Sequence, residues 1–256
     1  MHAKVMNAMD AAMAALPKVA VQGIRKGFKS LPVIDGIDLA VAPGEFVAIV
    51  GPSGCGKSTL MKLLAGFEQP DSGAVLIDGV KVHRPTPKAI VISQHGSVFP
   101  WLTVQENLMF GLSGRDYRAK AATADHYAEM VGLKGFEKAY PHELSGGMLK
   151  RVEIARALAV KPDILFMDEP FSALDALTAL KMRIELLRVL REERHTIILI
   201  THDVEEAIYL ADRVVVLSPR PTRIASVFPI EQPHPRKVSM PELQAIKDAI
   251  LGQLGL

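Results

Sequence analysis

The chain has 256 residues, 49% hydrophobic and 23% charged, so it can bury a core without disulfides or metal and is too apolar to be disordered. Thirty basic against 28 acidic residues leave a formal charge of +2, which excludes a surface dedicated to wrapping nucleic acid. The single cysteine, Cys55, excludes an intramolecular disulfide and a thiolate zinc cluster and fits a reducing compartment.

The first stretch, Met1 to Leu16, is rich in Ala and Met with Lys4 near its start. Asp10 interrupts its apolar character and an ordinary strand pattern follows Pro17, so residues 1–18 read as a frayed or amphipathic extension rather than a signal peptide. A single domain is expected over 19–256. Short β-branched runs at Val19–Val21, Phe46–Val50, Ala89–Ile92, Ile164–Met167, Thr196–Ile200 and Val214–Leu217 predict strands. Several are apolar throughout, as in sheets covered on both faces, and all are far too short to span a membrane.

Helical patterns lie between these runs. Between about Val104 and Val160 no good strand pattern occurs, only helical segments separated by Gly111, Gly114, Gly132, Gly135 and Pro141. This predicts a helical subdomain over approximately residues 95–160. Further on, Leu177, Leu180, Ile184 and Leu187 recur at spacings of three and four, which places them on one helical face with Lys181, Arg188 and Arg191 away from it. A tail over 219–256, punctuated by Pro221, Pro229, Pro233, Pro235 and Pro241, closes with a short helix to Leu254. Strand–helix alternation of this kind predicts an α/β fold with a largely parallel sheet.

Three motifs carry chemistry. Gly51-Pro52-Ser53-Gly54-Cys55-Gly56-Lys57-Ser58-Thr59 directly follows the strand Phe46–Val50 and opens a helix containing Leu60, Leu63 and Leu64, the context of a phosphate-binding P-loop. The glycines turn backbone N–H groups toward phosphate oxygens and the helix N-terminus adds its positive end. Lys57 would reach the β- and γ-phosphates and the Ser58 hydroxyl would ligate Mg²⁺. The four fixed positions arise by chance about once in a hundred chains of this composition. Cys55, inside the loop, admits two readings: a small residue filling a loop position, or a thiol whose pKa the helix N-terminus lowers.

The second motif ends a buried strand with two adjacent carboxylates, Ile164-Leu165-Phe166-Met167-Asp168-Glu169, where open α/β sheets bind ligands. Asp168 suits a Mg²⁺ shell and Glu169 could orient or deprotonate an attacking water. The third, Leu144-Ser145-Gly146-Gly147-Met148, precedes the helical pattern Leu149 to Leu158 and makes a second anion-binding helix start.

These motifs, with Ser172-Ala173-Leu174-Asp175 and Thr201-His202-Asp203, occur in the order and approximate spacing of the ATP-binding cassette (ABC) ATPases. The chain resembles that family over roughly Val19 to Leu217. The resemblance implies the ABC ATPase fold, a P-loop NTPase core with an antiparallel β region near the N-terminus and an inserted helical subdomain. It also implies ATP and Mg²⁺ as ligands, and a head-to-tail homodimer that sandwiches two ATP molecules between one subunit's P-loop and the other's Ser145-Gly146-Gly147. Ser145 and Gly147 would contact the γ-phosphate across the interface, Asp175 would couple the two sites, and His202 would contact the γ-phosphate. Gln94 matches the glutamine that approaches Mg²⁺ and water, here preceded by Ser93 where family members often carry an aromatic residue. Phe28, 23 residues before Gly51, matches the aromatic that stacks on adenine.

The segment Val98-Phe99-Pro100-Trp101-Leu102-Thr103 through Leu108 resembles the importer region bordering the groove for a membrane subunit's coupling helix. Trp101 and Phe99 are either contacts of that groove or packing within the helical insertion. Pro100 to Thr103, Met148 and Ser218 to Ile224 resemble the nitrate, sulfonate and taurine import group. The chain departs from that group at Thr222, where Gly is usual, at His234 and at Leu149. The resemblance implies a separate transmembrane permease, an extracytoplasmic substrate-binding protein acting indirectly, and a peripheral position on the cytoplasmic face of the membrane. Two other classes fit the sequence less well. Soluble ABC ATPases of DNA repair or translation carry long coiled coils or paired cassettes, and the balanced charge gives no nucleic-acid footprint. A nonenzymatic nucleotide sensor is disfavoured by the presence of Glu169 and His202.

Overall fold

The computed structural model describes residues 16–94, 96–114, 116–172, 174–237 and 239–256, and of residue 191 the backbone alone. Residues 1–15, most of the predicted extension, lie outside them. Two compact units are formed, one from residues 16–89 with 195–256 and the other from 90–194.

The first unit holds two sheets. In one, β1 (Val19–Phe28) pairs antiparallel with β2 (Leu31–Val41) and with β4 (Ser72–Ile77), which in turn pairs with the short β5 (Val80–Lys81). Val19, Val21 and Ile24 are buried, while Arg25, Lys26 and Phe28 alternate out toward solvent or half-burial. A register shift between Val21 and Ile24, with Gly23 at φ 53°, bends the strand. The second sheet is built on β3 (Phe46–Val50), wholly buried and parallel to both β8 (Thr196–Ile200) and β9 (Arg213–Leu217). An antiparallel β10 (Ile224–Pro229) closes its edge beside β9. The all-apolar reading of β3 and β8 matches strands covered on both faces. Helix α1 (Lys57–Leu64) follows β3 and buries Leu60, Met61, Leu63 and Leu64. Helix α6 (Val204–Leu210) follows β8, and helix α7 (Pro241–Leu254) ends the chain. The tail is tied down by the buried Arg236, which donates to the carbonyls of Ile208, Ile230 and Gln232 at 2.9, 3.1 and 2.7 Å.

The second unit begins within β6 (Ala89–Ile92), which neighbours β7 (Ile164–Asp168). Between them come α2 (Val104–Met109), α3 (Tyr117–Met130), a 3-10 turn at Pro141–Glu143 and α4 (Gly146–Ala159), the three α-helices packing pairwise. Sequence explains each start. Thr103 and Glu106 form a reciprocal capping box on α2, and Asp116 caps α3 by accepting from Ala119. Asn107 is fully buried, and its amide donates to the carbonyls of Phe99, Leu102 and Thr103 at 3.0–3.1 Å while its oxygen accepts from the Phe99 N–H at 2.9 Å. Every hydrogen-bonding arm of that amide is used, which removes the cost of burying it.

Helix α5 (Ala176–Glu193) corrects one expectation. Its buried face is Ala179, Met182, Leu186, Leu187, Val189 and Leu190, whereas Leu177, Leu180 and Ile184 are exposed beside Lys181 and Arg188. The helix carries apolar residues on two faces, so spacings of three and four fit both. The face with more and better spaced residues is the one that packs. Leu187 alone belongs to both descriptions. Among the described residues no helix is long and apolar enough to cross a membrane.

Candidate nucleotide-binding and hydrolysis site

In the first unit the loop between β3 and α1 holds the predicted phosphate cradle. Gly54 and Gly56 have φ of 71° and 117°, conformations that side chains resist. At Gly56 an added Cβ would also meet Val33 Cγ1 at 2.8 Å, so sterics and backbone both require glycine there. Gly56 is the N-cap of α1 and supplies no side-chain hydrogen bond to the helix start. The helix therefore opens with N–H groups that no cap side chain satisfies, the arrangement that receives an anion. Pro52, Ser53 and Ser58 line the loop at partial to full exposure, and Thr59 follows Ser58 into the helix. Lys57 Nζ folds back over the loop, donating to the carbonyls of Gly51 at 2.8 Å and Pro52 at 3.0 Å. A phosphate would give the same ammonium hydrogen bonds in which both donor and acceptor are charged, in place of two carbonyl acceptors that carry no net charge.

Cys55 is buried under the loop, and that burial pushes its thiol above the usual range, outweighing the lowering influence of Lys57. Desolvation wins over the helix start, so the structure favours the loop-filling reading over a thiolate sensor. Its carbonyl accepts from the hydroxyl of Thr222, which is itself fully buried. The Thr222 backbone also bridges to β2, its N–H donating to Val33 at 2.8 Å and its carbonyl accepting from Asp35 at 3.0 Å. The sequence showed Thr222 only as a departure from a glycine; its grip on the phosphate loop needed the fold.

Two further predicted residues lie in this unit. Phe28 ends β1 with its ring half-exposed and Lys26 Nζ 5.4 Å from the centroid. His202 is exposed just beyond β8. It sits between Thr201, whose hydroxyl accepts from the Asp203 N–H at 3.0 Å, and Asp203, whose carboxylate caps α6 by accepting from Glu205 and Glu206. Both neighbours of His202 are thus pinned, which fixes the backbone that carries the imidazole.

The second unit gathers the acidic pair and the glutamine. Strand β7 delivers Asp168 and Glu169 at partial burial. Glu169 has φ 48°, a left-handed conformation costly for a non-glycine residue. Its carbonyl accepts from the Ser172 N–H and hydroxyl at 3.3 and 2.9 Å, which hold that turn. Gln94 Nε2 donates to Glu169 Oε2 at 3.1 Å, so two predicted residues 75 positions apart meet directly. At the start of α4, Ser145 is an exposed N-cap whose Oγ accepts from Met148 at 3.3 Å. An added Cβ on Gly146 would meet open space, and Gly147 is half-exposed beside it. Asp175 caps α5, and its hydrogen bonds from Thr178 hold its carboxyl below the ordinary range. Ser58, Gln94 and Asp168 all offer hard oxygen donors, the kind Mg²⁺ takes.

A glycine loop with an uncapped helix start after a buried parallel strand, and an acidic strand end held by a glutamine, define a P-loop nucleoside triphosphatase. The comparisons sharpen this. A family profile described as ABC transporter matches residues 34–172. A putative ATP-binding protein of Brucella abortus is 45% identical over 239 residues, 91% of this chain and 92% of that one. The aliphatic sulfonates import ATP-binding protein SsuB of Bacillus subtilis is 44% identical over 230 residues, 90% of this chain and 89% of that one. The dimeric structure of a post-hydrolysis state of the ATP-binding cassette MJ0796, bound to ADP and Pi, matches with a TM-score of 0.75 at 29% identity, covering 84% of this chain and 99% of that one. The chain belongs to the ABC transporter family, with the fold of its ATP-binding cassettes. It is an ABC-type ATPase.

Proposed function

We propose that this chain is the motor subunit of an importer for a small anionic or organic nutrient of the sulfonate, nitrate or taurine kind. It would work as a head-to-tail homodimer on the cytoplasmic face of the membrane, beside a separate permease that an extracytoplasmic binding protein loads. The contact of Gln94 with Glu169 is the observation that carries the hydrolytic part. A carboxylate at a strand end, oriented by an amide, is the equipment for activating water.

In this reading Lys57 exchanges the Gly51 and Pro52 carbonyls for the β- and γ-phosphates. Ser58, Asp168 and Gln94 would hold Mg²⁺, which would supply positive charge beside the phosphates. Glu169 accepts a proton from water as its oxygen attacks the γ-phosphorus and the bond to ADP breaks. His202 steadies the γ-phosphate, Phe28 stacks on the base, and Ser145, Gly146, Gly147 and Asp175 serve the ATP of the opposite subunit. Because each ATP would touch both subunits, it favours the closed pair, and hydrolysis removes that preference.

A second feature supports the membrane partner. Trp101 and Phe110 are 69% and 64% exposed, and both lie tilted against Phe99, at centroid distances of 5.5 and 4.4 Å. Exposed aromatics clustered on a braced loop are typical interface anchors. The sulfonate class follows the name of the Bacillus subtilis relative. Deleting the gene should abolish growth of its host on an alkanesulfonate as sole sulfur source while sparing growth on sulfate; unimpaired growth would contradict that class.

The chemistry is tested by Glu169→Gln. Removal of a general base should lower ATP turnover about 10²- to 10⁴-fold with ATP affinity preserved. Turnover at the unaltered rate would reject Glu169 as the base.

A further inference from the structure

Helix α4 carries, behind its exposed N-terminal Ser145, two charges that almost no solvent reaches. Lys150 and Glu153 are 5% and 2% exposed, and they pair at 2.9 Å. A pair of well-packed apolar side chains would fill the same space without the desolvation cost of two ions. What the ions do is grip the chain on either side of Gln94. Lys150 Nζ donates to the Ser93 carbonyl at 2.5 Å. Glu153 Oε1 accepts from the Ser97 hydroxyl at 2.8 Å. Arg156, one turn further along, donates to the same Ser97 oxygen at 2.7 Å and lies 4.8 Å over the Phe99 ring. Ser93 and Ser97 bracket Gln94, and Phe99 begins the exposed aromatic patch.

We propose that Lys150 and Glu153 are positioning residues: a buried ionic latch that fixes Ser93 and Ser97 to helix α4 and thereby holds Gln94 against Glu169. The latch rests on the ATPase reading above and adds to it a route of communication. Lys150 and Glu153 lie five and eight residues beyond Ser145, about 8–12 Å along a rigid helix. A displacement of Ser145 on meeting a partner's nucleotide is carried by α4 to the two serines, and from them to Gln94 on one side and the aromatic patch on the other. Local helix stability does not require this arrangement, since an i, i+3 ion pair on a helix is worth little by itself. Its value lies in the backbone carbonyl and hydroxyl it holds outside the helix.

The test uses the purified full chain with Lys150→Met, and with Lys150→Met/Glu153→Gln, which removes both members of the pair, if the single variant folds poorly. A positioning role predicts that kcat for ATP falls about tenfold while KM stays within about twofold. It also predicts that adding Gln94→Ala to the latch variant costs less than about twofold more, because the two act through one contact. Amide hydrogen exchange without nucleotide should rise in residues 93–99 and stay unchanged in 51–59. A purely structural pair would lower stability, leave kcat intact and give multiplicative losses with Gln94→Ala; those results, or unchanged exchange in 93–99, overturn the proposal. If the parent chain shows no ATP turnover, the motor reading fails separately, and the exchange measurement still decides the latch.

Discussion

The phosphate loop and the residues Ser93, Gln94 and Ser97 face the same physical problem, holding groups outside any helix in one place, and solve it in opposite ways. The loop at 51–56 is shaped by what its residues lack. Gly54 and Gly56 take backbone angles closed to side chains, and Gly56 leaves no room for a Cβ against Val33. Its one charged side chain, Lys57, turns inward onto the loop's own carbonyls. Ser93 and Ser97, on either side of Gln94, are held by what a distant helix supplies: Lys150, Glu153 and Arg156 reach them from more than 50 residues away. Local stereochemistry writes itself into adjacent letters, whereas a side-chain network is written across the chain.

Predictions that break or sharpen this contrast run from large effects to small. Lys57→Ala removes the loop's cation together with charge-assisted hydrogen bonds worth about 1.5–3 kcal/mol each, so ATP affinity should fall about tenfold to a hundredfold per bond lost. Isothermal titration would show it, and undiminished affinity would mean that Lys57 never leaves Gly51 and Pro52. Thr222→Val keeps the shape but deletes the hydroxyl that meets the Cys55 carbonyl. A net loss of about 1 kcal/mol follows, seen as a Tm lower by about 2–4 °C in a chain of this size. No change in Tm would show that the loop is held by its glycines alone. Smallest in consequence is Cys55. Burial raises its thiol pKa, so less thiolate is present at any given pH, and alkylation at pH 8 should be much slower than for a free thiol and accelerate only at higher pH. Rapid alkylation at pH 8 would point to a loop that opens.

The parts of the fold visible in sequence were those with short-range causes. The runs at Phe46–Val50 and Thr196–Ile200 are apolar because both faces are covered, and they fold as β3 and β8 with those bounds. Strand β1 extends to Phe28, well beyond the predicted Val19–Val21, because Gly23, Arg25 and Lys26 blur the alternation at a bend exposed to solvent. Strands β2, β4 and β10 were missed for related reasons: Gly36 and Asp35 interrupt β2, β4 opens on Ser72-Gly73, and β10 ends at a proline in a tail full of them. Periodicity does not single out the buried face of α5 because two apolar stripes share one helix, and only packing decides between Leu180 and Met182. In the candidate site, resemblance names Gln94 and Glu169 each by itself, and their direct hydrogen bond is a finding of the fold. The braces from Thr222 and from Lys150 with Glu153 are findings of the fold too, since nothing near any of these residues in sequence names its partner.

At the centre of the account is the claim that ATP holds two copies of this chain together until Glu169 activates water. Light scattering on purified Glu169→Gln in saturating Mg·ATP addresses it directly, with Ser145→Arg added as a control that blocks the opposite face. The account predicts a dimer for Glu169→Gln with ATP, a monomer with ADP, and a monomer in both nucleotides once Ser145→Arg is present. A particle that stays monomeric in ATP, or a dimer indifferent to nucleotide and to Ser145→Arg, would contradict it.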